Sequence, residues 1–230
     1  SLVRGGADLI ELGVPFSGPM ADGPANQRAS ARGLAAGATL PAILSMVADL
    51  RKTTQVPIIL FGYYNPIFHY GADRLCADAA RAGIDGLLVV DLPPEEAAEL
   101  ARPARAAGLD IISLLAPTTP LERSRIIARS ASGFLYYVSV AGVTGARTSL
   151  AHDLQANLRD LRTVTNLPIG VGFGISTPAQ AHEVAAFADA VVVGSAISQL
   201  IEVNAHSGRL VEIVGEFVGA LKDASRTAPH

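Results

Sequence analysis

Residues 86–117 read GLLVVDLPPEEAAELARPARAAGLDIISLLAP, and this stretch carries the pattern that best indicates the fold class. Two short runs, GLLVV and DIISLL, are apolar on both faces, as in strands that are covered from two sides. The segment between them is rich in Ala, Leu and Arg and has the apolar spacing of a helix. Because parallel strands need a long crossover, the stretch predicts a strand–helix–strand unit of a buried parallel sheet.

The same alternation of strand and helix runs along the whole chain. Short β-branched runs bounded by Gly, Pro or Asp predict seven strands, at residues 8–14, 57–63, 86–92, 110–117, 133–140, 168–175 and 190–197. No Pro/Ser-rich linker divides the chain, so we expect a single α/β domain over residues 1–230. Seven strands fit a doubly wound sheet or a (β/α)8 barrel, and the count favours neither.

The start of the chain bears on this choice, because a barrel needs eight strands. The opening residues SLVRGGAD are typical of the end of a helix that leads into the first predicted strand. We therefore expect an N-terminally truncated chain from which the first barrel strand is missing.

Composition excludes several classes of protein. Half of the 230 residues are hydrophobic, which provides a sizeable core, and the net charge of −3 with scattered arginines argues against nucleic-acid binding. No apolar run approaches the roughly 20 residues of a membrane helix. The single cysteine, Cys76, and the lack of a signal-peptide pattern predict a cytoplasmic protein.

The segment ADLIELGVPFSGPMADGPANQ, residues 7–27, has the strongest chemical pattern. Period-two alternation places Glu11 on the face opposite Ile10 and Leu12, where burial would raise its pKa toward neutrality. Such a carboxyl group suits a general acid and base, although it could also be a structural carboxylate held by backbone donors. Asp22 lies in the loop after the strand and pairs with Glu11 as a second candidate, or serves as a turn or helix-cap residue.

With these residues in place, the sequence resembles the tryptophan synthase alpha subunit family, the indole-3-glycerol-phosphate lyases. Six stretches match in family order: GADLIELGVPFSGPMADGP, LFGYYNPIFHYG, GLLVVDLPPEE, YYVSVAGVTGAR, GVGFGIS and VVVGSAI. The resemblance implies a (β/α)8 barrel. It also implies a retro-aldol cleavage of indole-3-glycerol phosphate to indole and glyceraldehyde 3-phosphate in tryptophan biosynthesis. The expected partner is a beta subunit, in an alpha2beta2 heterotetramer.

The resemblance also assigns roles to residues. It implies that Glu11 transfers protons at indole C3 and the glycerol hydroxyl, and that Asp22 stabilises positive charge on the indole nitrogen. Protonation at C3 must precede departure of indole as a carbon leaving group, so one group must act as acid and then as base.

Aromatic and loop residues follow from the same matches. Tyr136 matches the family's active-site tyrosine, whereas Phe61 and Tyr63 match positions lining the indole pocket. For Phe61 and Tyr63, core packing is the alternative explanation. Thr144 and Gly145 match a mobile loop that closes over substrate and would exclude water from the carboxylates.

A phosphate site is expected after the last two predicted strands. Barrel enzymes commonly bind phosphate there with backbone N–H groups and a helix N-terminus, although glycines at strand ends also serve simple turns. The candidate substrate-binding residues are Phe173, Gly174, Gly194 and Ser195.

Other routes to the same chemistry find little support. The only lysines, Lys52 and Lys222, do not follow strands, which argues against a Schiff base, and the five histidines lack metal-ligand spacing. GVGFG at residues 170–174 lacks the spacing of a dinucleotide fingerprint. We therefore expect no metal and no cofactor. Asp91, after the GLLVV run, is interpreted as the cap of the helix that contains Glu95 and Glu96.

One departure from the family concerns the partner. Gly18 stands where the family usually has an aspartate that connects the Asp22 loop to the beta subunit, which predicts weakened coupling. Two other functions stay open at this point. One is a phosphosugar isomerase or epimerase on the same fold, and the other is an inactive fragment that binds the beta subunit.

Overall fold

Helices and parallel strands alternate through the computed structural model. It describes residues 1–139, 147–172 and 174–228, and for residues 147–152 it describes the backbone alone. The chain divides into a first unit, residues 8–112, and a second unit, residues 1–7 with 113–230. The prediction of a single domain over residues 1–230 stays a prediction.

The first unit contains a parallel sheet whose strand order follows the chain. Its strands are β1 (Ile10–Gly13), β2 (Ile58–Gly62), β3 (Gly86–Val89) and the beginning of β4 (Asp110–Leu115). Its helices are α1 (Pro24–Ala35), α2 (Leu40–Leu50), α3 (Tyr64–Tyr70), α4 (Ala72–Ala82) and α5 (Ala98–Ala106).

Apolar side chains from alternate strand positions form the core of this unit. Ile58, Leu60 and Leu87 are buried against helix residues such as Val47 and Leu75, which are fully enclosed. Ile10 and Leu12 of β1 pack against the same cluster. Since successive strand residues point to opposite sides, Glu11 lies on the face away from these helices, as the alternation predicts.

The second unit continues the pattern. It contains the end of β4 and then β5 (Leu135–Val138), β6 (Ile169–Gly172) and β7 (Ala190–Val192), paired in parallel and in chain order. Its helices are α6 (Leu121–Ser130), α7 (Arg147–Leu161), α8 (Pro178–Ala185), α9 (Ser195–Val203) and α10 (Leu210–Arg226). Leu135 and Tyr137 of β5 are buried in a cluster with Leu158 of α7, so Tyr136 faces the opposite side.

All seven predicted strands are confirmed, whereas one predicted helix begins later than expected. The Pro-rich start of the PPEEAAEL segment forms turns, with Glu96 N–H donating to Pro93 O at 3.0 Å, and α5 begins only at Ala98. Asp91 therefore does not cap α5, and the prediction that it does is wrong. Its carboxylate instead accepts a hydrogen bond from Tyr64 N–H of α3 at 2.7 Å.

No single helix in the described part of the chain is long and apolar enough to cross a membrane. The pair α1 and α2 reaches that length and composition together, with a bend of 96° between them.

An arginine–aspartate clamp joins strand starts in the first unit. Asp85 Oδ2 accepts hydrogen bonds from Ile58 N–H at 2.7 Å and from Arg51 Nη2 at 2.6 Å. Arg51 also donates to the carbonyl oxygens of Gly83 and Val56, at 2.7 and 2.6 Å. Gly83 has a φ of +94°, and a Cβ there would lie 2.7 Å from Arg51 Cγ, so glycine is required on both counts.

The second unit repeats this clamp with fewer bonds. Asp189 Oδ2 accepts from Ile169 N–H at 2.8 Å and pairs with Arg162 Nη2 at 3.0 Å. The Arg162 side chain is 45% exposed, compared with 14% for Arg51.

Arg51→Ala should destabilise the protein more than Arg162→Ala. Loss of a shielded charged donor leaves several acceptors unsatisfied, at a cost of about 2–3 kcal/mol, whereas an exposed pair contributes about 1 kcal/mol or less. Urea unfolding measures both free energies. Lys52→Ala, which removes only an exposed pair with Asp49, is the control, and equal losses for the two arginine variants would contradict this ranking.

Candidate active site

The Glu11 carboxyl group is the most perturbed acid in the first unit. Its Oε1 atom is buried and has no hydrogen-bond partner within the described ranges. Desolvation by burial raises the pKa of Glu11 from 4.5 to about 7. The group can therefore hold or release a proton near neutral pH, which is the property a general acid and base needs.

Open space adjoins this carboxyl group on the same strand face. Gly13 lies two residues after Glu11, and a Cβ built there would meet no atom within 4 Å. In the parallel register Gly13 is opposite Phe61, and Glu11 is opposite Ile59. Because paired residues of parallel strands share a face, the half-buried Phe61 lies on the Glu11 side of the sheet.

The loop after β1 turns Asp22 toward the next strand. Asp22 N–H donates to Pro19 O at 3.1 Å, and the following helix α1 has Gly23 as its N-cap residue without a side-chain cap. Burial raises the pKa of Asp22 above its ordinary value, while hydrogen bonds from the side chains of Tyr63 and Asn26 lower it. The Asp22 side chain is thus held by other side chains and does not cap α1.

Tyr63 is the residue that holds this loop. It is 5% exposed, and its hydroxyl donates to Asp22 Oδ2 at 3.1 Å. The Tyr63 hydroxyl oxygen also accepts a hydrogen bond from Ala21 N–H at 2.9 Å. Burial, together with the neighbouring Asp22 carboxylate, raises the pKa of Tyr63 to about 12, so the hydroxyl keeps its proton. The ring also packs against Phe16, with 5.3 Å between centroids.

Sequence reasoning missed this contact, although a signal existed. Tyr63 directly follows β2 as the Asp22 loop follows β1, and the carboxyl ends of paired parallel strands meet at one edge of the sheet. That juxtaposition predicts proximity but not which two side chains touch.

In the second unit, Tyr136 has a defined place on β5. A Cβ on Gly172 of β6 would collide with the Tyr136 hydroxyl oxygen and lie 2.7 Å from its Cζ. Glycine at position 172 therefore provides the room that the tyrosine ring occupies.

The candidate phosphate residues lie after β6 and β7, which pair with each other. Gly174 has a φ of +80°, a conformation that favours glycine, and Gly194 is the N-cap residue of α9, whose first residue is Ser195. Three further predicted residues, Thr144, Gly145 and Phe173, lie outside the described residues.

The chemistry available to these side chains is acid–base chemistry. Among the residues that the structure describes, no group of three or more His, Cys, Asp or Glu side chains is placed to hold a metal ion. Lys52 lies in the turn after α2 and pairs with Asp49. Parallel strands that pair in chain order, with helices between them, are typical of the α/β barrel class, in which enzymes carry their sites after the strands.

Comparison with known proteins then identifies the family. The family model for the tryptophan synthase alpha chain matches residues 1–226. A tryptophan synthase alpha chain of Geobacter sp. (strain M21) is 59% identical over 221 residues, which make up 96% of this chain and 82% of the relative. The chain therefore belongs to the tryptophan synthase alpha chain family.

Comparison with solved structures gives the same family. A tryptophan synthase subunit alpha from Legionella pneumophila str. Paris superposes with a TM-score of 0.89 at 42% identity, over 98% of this chain and 84% of that one. A chain in a Mycobacterium tuberculosis tryptophan synthase structure superposes with a TM-score of 0.88 at 33% identity, over 99% of this chain and 84% of that one. The predicted fold class is confirmed as an α/β fold with seven parallel strands, similar to the tryptophan synthase alpha structures. The predicted function of a lyase in tryptophan biosynthesis is also confirmed.

Glu11→Gln should stabilise the folded protein at high pH. Because the pKa of Glu11 is about 7 in the folded state and 4.5 when unperturbed, the unfolded chain releases this proton first as pH rises. The free energy of unfolding of the wild type should then fall between pH 4.5 and pH 7, by about 3 kcal/mol in total. The Gln variant, a neutral mimic of the protonated acid, lacks this loss.

Urea unfolding of both proteins at pH 4.5 and pH 8 measures the difference. Glu122→Gln, at an exposed position on α6, is the matched control and should show no such gain. A Glu11→Gln variant no more stable than the wild type at pH 8 would contradict the prediction.

Proposed function

We propose that Glu11 and Asp22 carry out the retro-aldol cleavage of indole-3-glycerol phosphate to indole and glyceraldehyde 3-phosphate. The observation that carries the proposal is the buried Oε1 of Glu11, which has no hydrogen-bond partner in the described part of the chain and belongs to a carboxyl group with a pKa of about 7. Family membership supplies the reaction, and the geometry of the first unit supplies candidate groups for its proton transfers.

Glu11 acts twice in this scheme. Its protonated form gives a proton to indole C3, which moves positive charge to the ring nitrogen. The resulting carboxylate then takes the proton from the adjacent glycerol hydroxyl as the carbon–carbon bond breaks and its electrons return to the ring. The carboxyl group is thereby regenerated, so no proton is gained or lost, and a pKa near 7 suits both steps.

Asp22 stabilises the intermediate. Its carboxylate accepts the indole N–H and offsets the charge that develops on the nitrogen. Because the Tyr63 hydroxyl donates to Oδ2 at 3.1 Å, the carboxylate keeps one orientation during the reaction, and its position requires little reorganisation.

Substrate contacts are assigned from the sequence resemblance. We propose Phe61, on the Glu11 face of β2, for the indole ring, and Tyr136 as a further active-site residue. Gly174, Gly194 and Ser195 would bind the phosphate through backbone N–H groups, since glycine allows an oxyanion to approach the chain closely. For Phe173, Thr144 and Gly145 the proposal rests on the sequence alone.

Glu11→Gln should abolish indole release. Gln cannot exchange protons at C3, so kcat should fall by at least about 10³-fold, whereas Asp22→Asn should cost on the order of 10²-fold because the neutral amide offsets less charge. Indole formation from indole-3-glycerol phosphate, measured with and without a tryptophan synthase beta chain, tests both.

Glu122→Gln and Asp49→Asn are matched controls on exposed helix surface and should retain wild-type turnover. Full activity in Glu11→Gln would exclude Glu11 as the acid. A folded wild type that releases no indole, alone or with the beta chain, would favour an isomerase or a purely binding role instead.

We further propose that the chain associates with a beta subunit, in an alpha2beta2 heterotetramer. Large apolar side chains are exposed on the elements that position the site: Met20, in the Asp22 loop, is 93% exposed, and Phe68, on α3, is 60% exposed. Apolar side chains of this size on functional loops are typical of interfaces. Cytoplasmic localisation, predicted from the sequence, stays part of this proposal.

Gly18→Asp should strengthen stimulation by the beta chain. A Cβ at this position would lie 3.4 Å from Phe16 Cε1, an ordinary contact, so the side chain fits without distorting the loop. We expect the stimulated turnover to rise several-fold while the basal turnover stays unchanged, because the family's aspartate at this position connects the Asp22 loop to the beta subunit and acts only in the complex. Unchanged stimulation would contradict this, and Gly18→Ala separates loop stiffening from the added charge.

A further inference from the structure

Helix α3 begins without a cap of its own. Its N-cap residue, Tyr63, makes no side-chain cap hydrogen bond, and its hydroxyl bonds to Asp22 and Ala21 instead. The first helical N–H, that of Tyr64, instead donates to Asp91 Oδ1 at 2.7 Å. A carboxylate from the end of β3 thus performs the role that a Ser, Thr, Asp or Asn at position 63 would normally perform.

Tyr63 is consequently anchored on both sides to the same segment. Before it, Gly62 O accepts a hydrogen bond from Val90 N–H at 3.0 Å, and after it, Tyr64 N–H bonds to Asp91. Between these two bonds the Tyr63 backbone is extended, with φ −107° and ψ 156°. Two consecutive residues, 90 and 91, therefore fix the backbone from which the Tyr63 side chain reaches the Asp22 loop.

We propose that Asp91 is a positioning residue for catalysis, which acts on the Asp22 carboxylate through Tyr63 by capping α3. This inference rests on the proposed function. The role requires a hydrogen-bond acceptor at position 91 and no negative charge, because an N–H of the helix start is satisfied by an amide oxygen as well as by a carboxylate. A proton-transfer role would require the carboxylate, so the two roles are separable.

The test compares kcat and KM for indole-3-glycerol phosphate in Asp91→Ala, Asp91→Asn, Tyr63→Phe and the double variant Asp91→Ala/Tyr63→Phe. We expect Asp91→Ala to lower kcat about 10-fold with KM changed less than about 3-fold, since small displacements of a catalytic group reduce turnover. Asp91→Asn should stay within about 3-fold of the wild type. The double variant should be no slower than Tyr63→Phe alone, because both changes act through the same contact.

Thr39→Ala is the matched control. It removes the side-chain cap of α2, which accepts from Ala42 N–H at 3.4 Å, in the same unit but not at α3. It should leave kcat unchanged even where it lowers thermal stability. A second readout is the NMR signal of ¹³C-labelled Tyr63, assigned with Tyr63→Phe, which should shift in Asp91→Ala and not in Thr39→Ala.

Several outcomes would overturn the inference while leaving the proposed function intact. These are full kcat in Asp91→Ala, equal loss in Asp91→Asn and Asp91→Ala, or independent, multiplicative effects of Asp91→Ala and Tyr63→Phe. If Asp91→Ala does not fold at the assay temperature, kcat and the Tyr63 signal of all variants are measured at a lower temperature at which it folds, with the same criteria. An inactive wild type would instead contradict the proposed function.

Discussion

The Glu11 carboxyl group on β1 is buried, and one of its oxygens has no partner among the described residues, so much of the first unit follows from accommodating it. Ile10 and Leu12, on either side of Glu11, pack into the helix layer and so fix the strand that presents it. The cost of desolvating the charged form raises its pKa to about 7, which means that the folded protein holds this proton up to about neutral pH. Neighbouring hydrogen-bond donors would stabilise the carboxylate and lower its pKa, so that the group would hold no proton at neutral pH.

Asp22, the second carboxylate, has a different environment from Glu11, and this difference corresponds to the two roles proposed for them. Asp22 lies in a loop, where a hydrogen bond from the Tyr63 hydroxyl orients its carboxylate. The same bond lowers the pKa of Asp22, against the burial that raises it. The helix that begins after Tyr63 has its first N–H bonded to Asp91, which follows the next strand. The segments that follow three neighbouring strands are thus joined by two hydrogen bonds, one from the Tyr63 hydroxyl and one from Tyr64 N–H.

Local patterns in the sequence were sufficient for the elements and for the face on which Glu11 lies. Period-two alternation around Glu11 depends only on strand geometry, so it survives folding unchanged. The partner of Asp91 was mispredicted because a cap is normally sought in the nearest following helix, and the turns at Pro93 and Pro94 delay α5 until Ala98. Contacts such as Tyr63 with Asp22 or Arg51 with Asp85 join residues 41 and 34 positions apart. They depend on strand register, which the residues themselves do not encode locally.

Substitutions at Gly13 are expected to affect folding and turnover differently. A methyl group at this position would touch no described atom within 4 Å, so a screen that scores only folding would accept alanine. The same volume lies on the Glu11 side of the sheet, where the proposed reaction needs room for the indole ring. Selection for turnover would therefore reject Gly13 variants that selection for solubility retains. Libraries selected for thermal stability alone would accumulate variants at this strand end that fold but have lost activity.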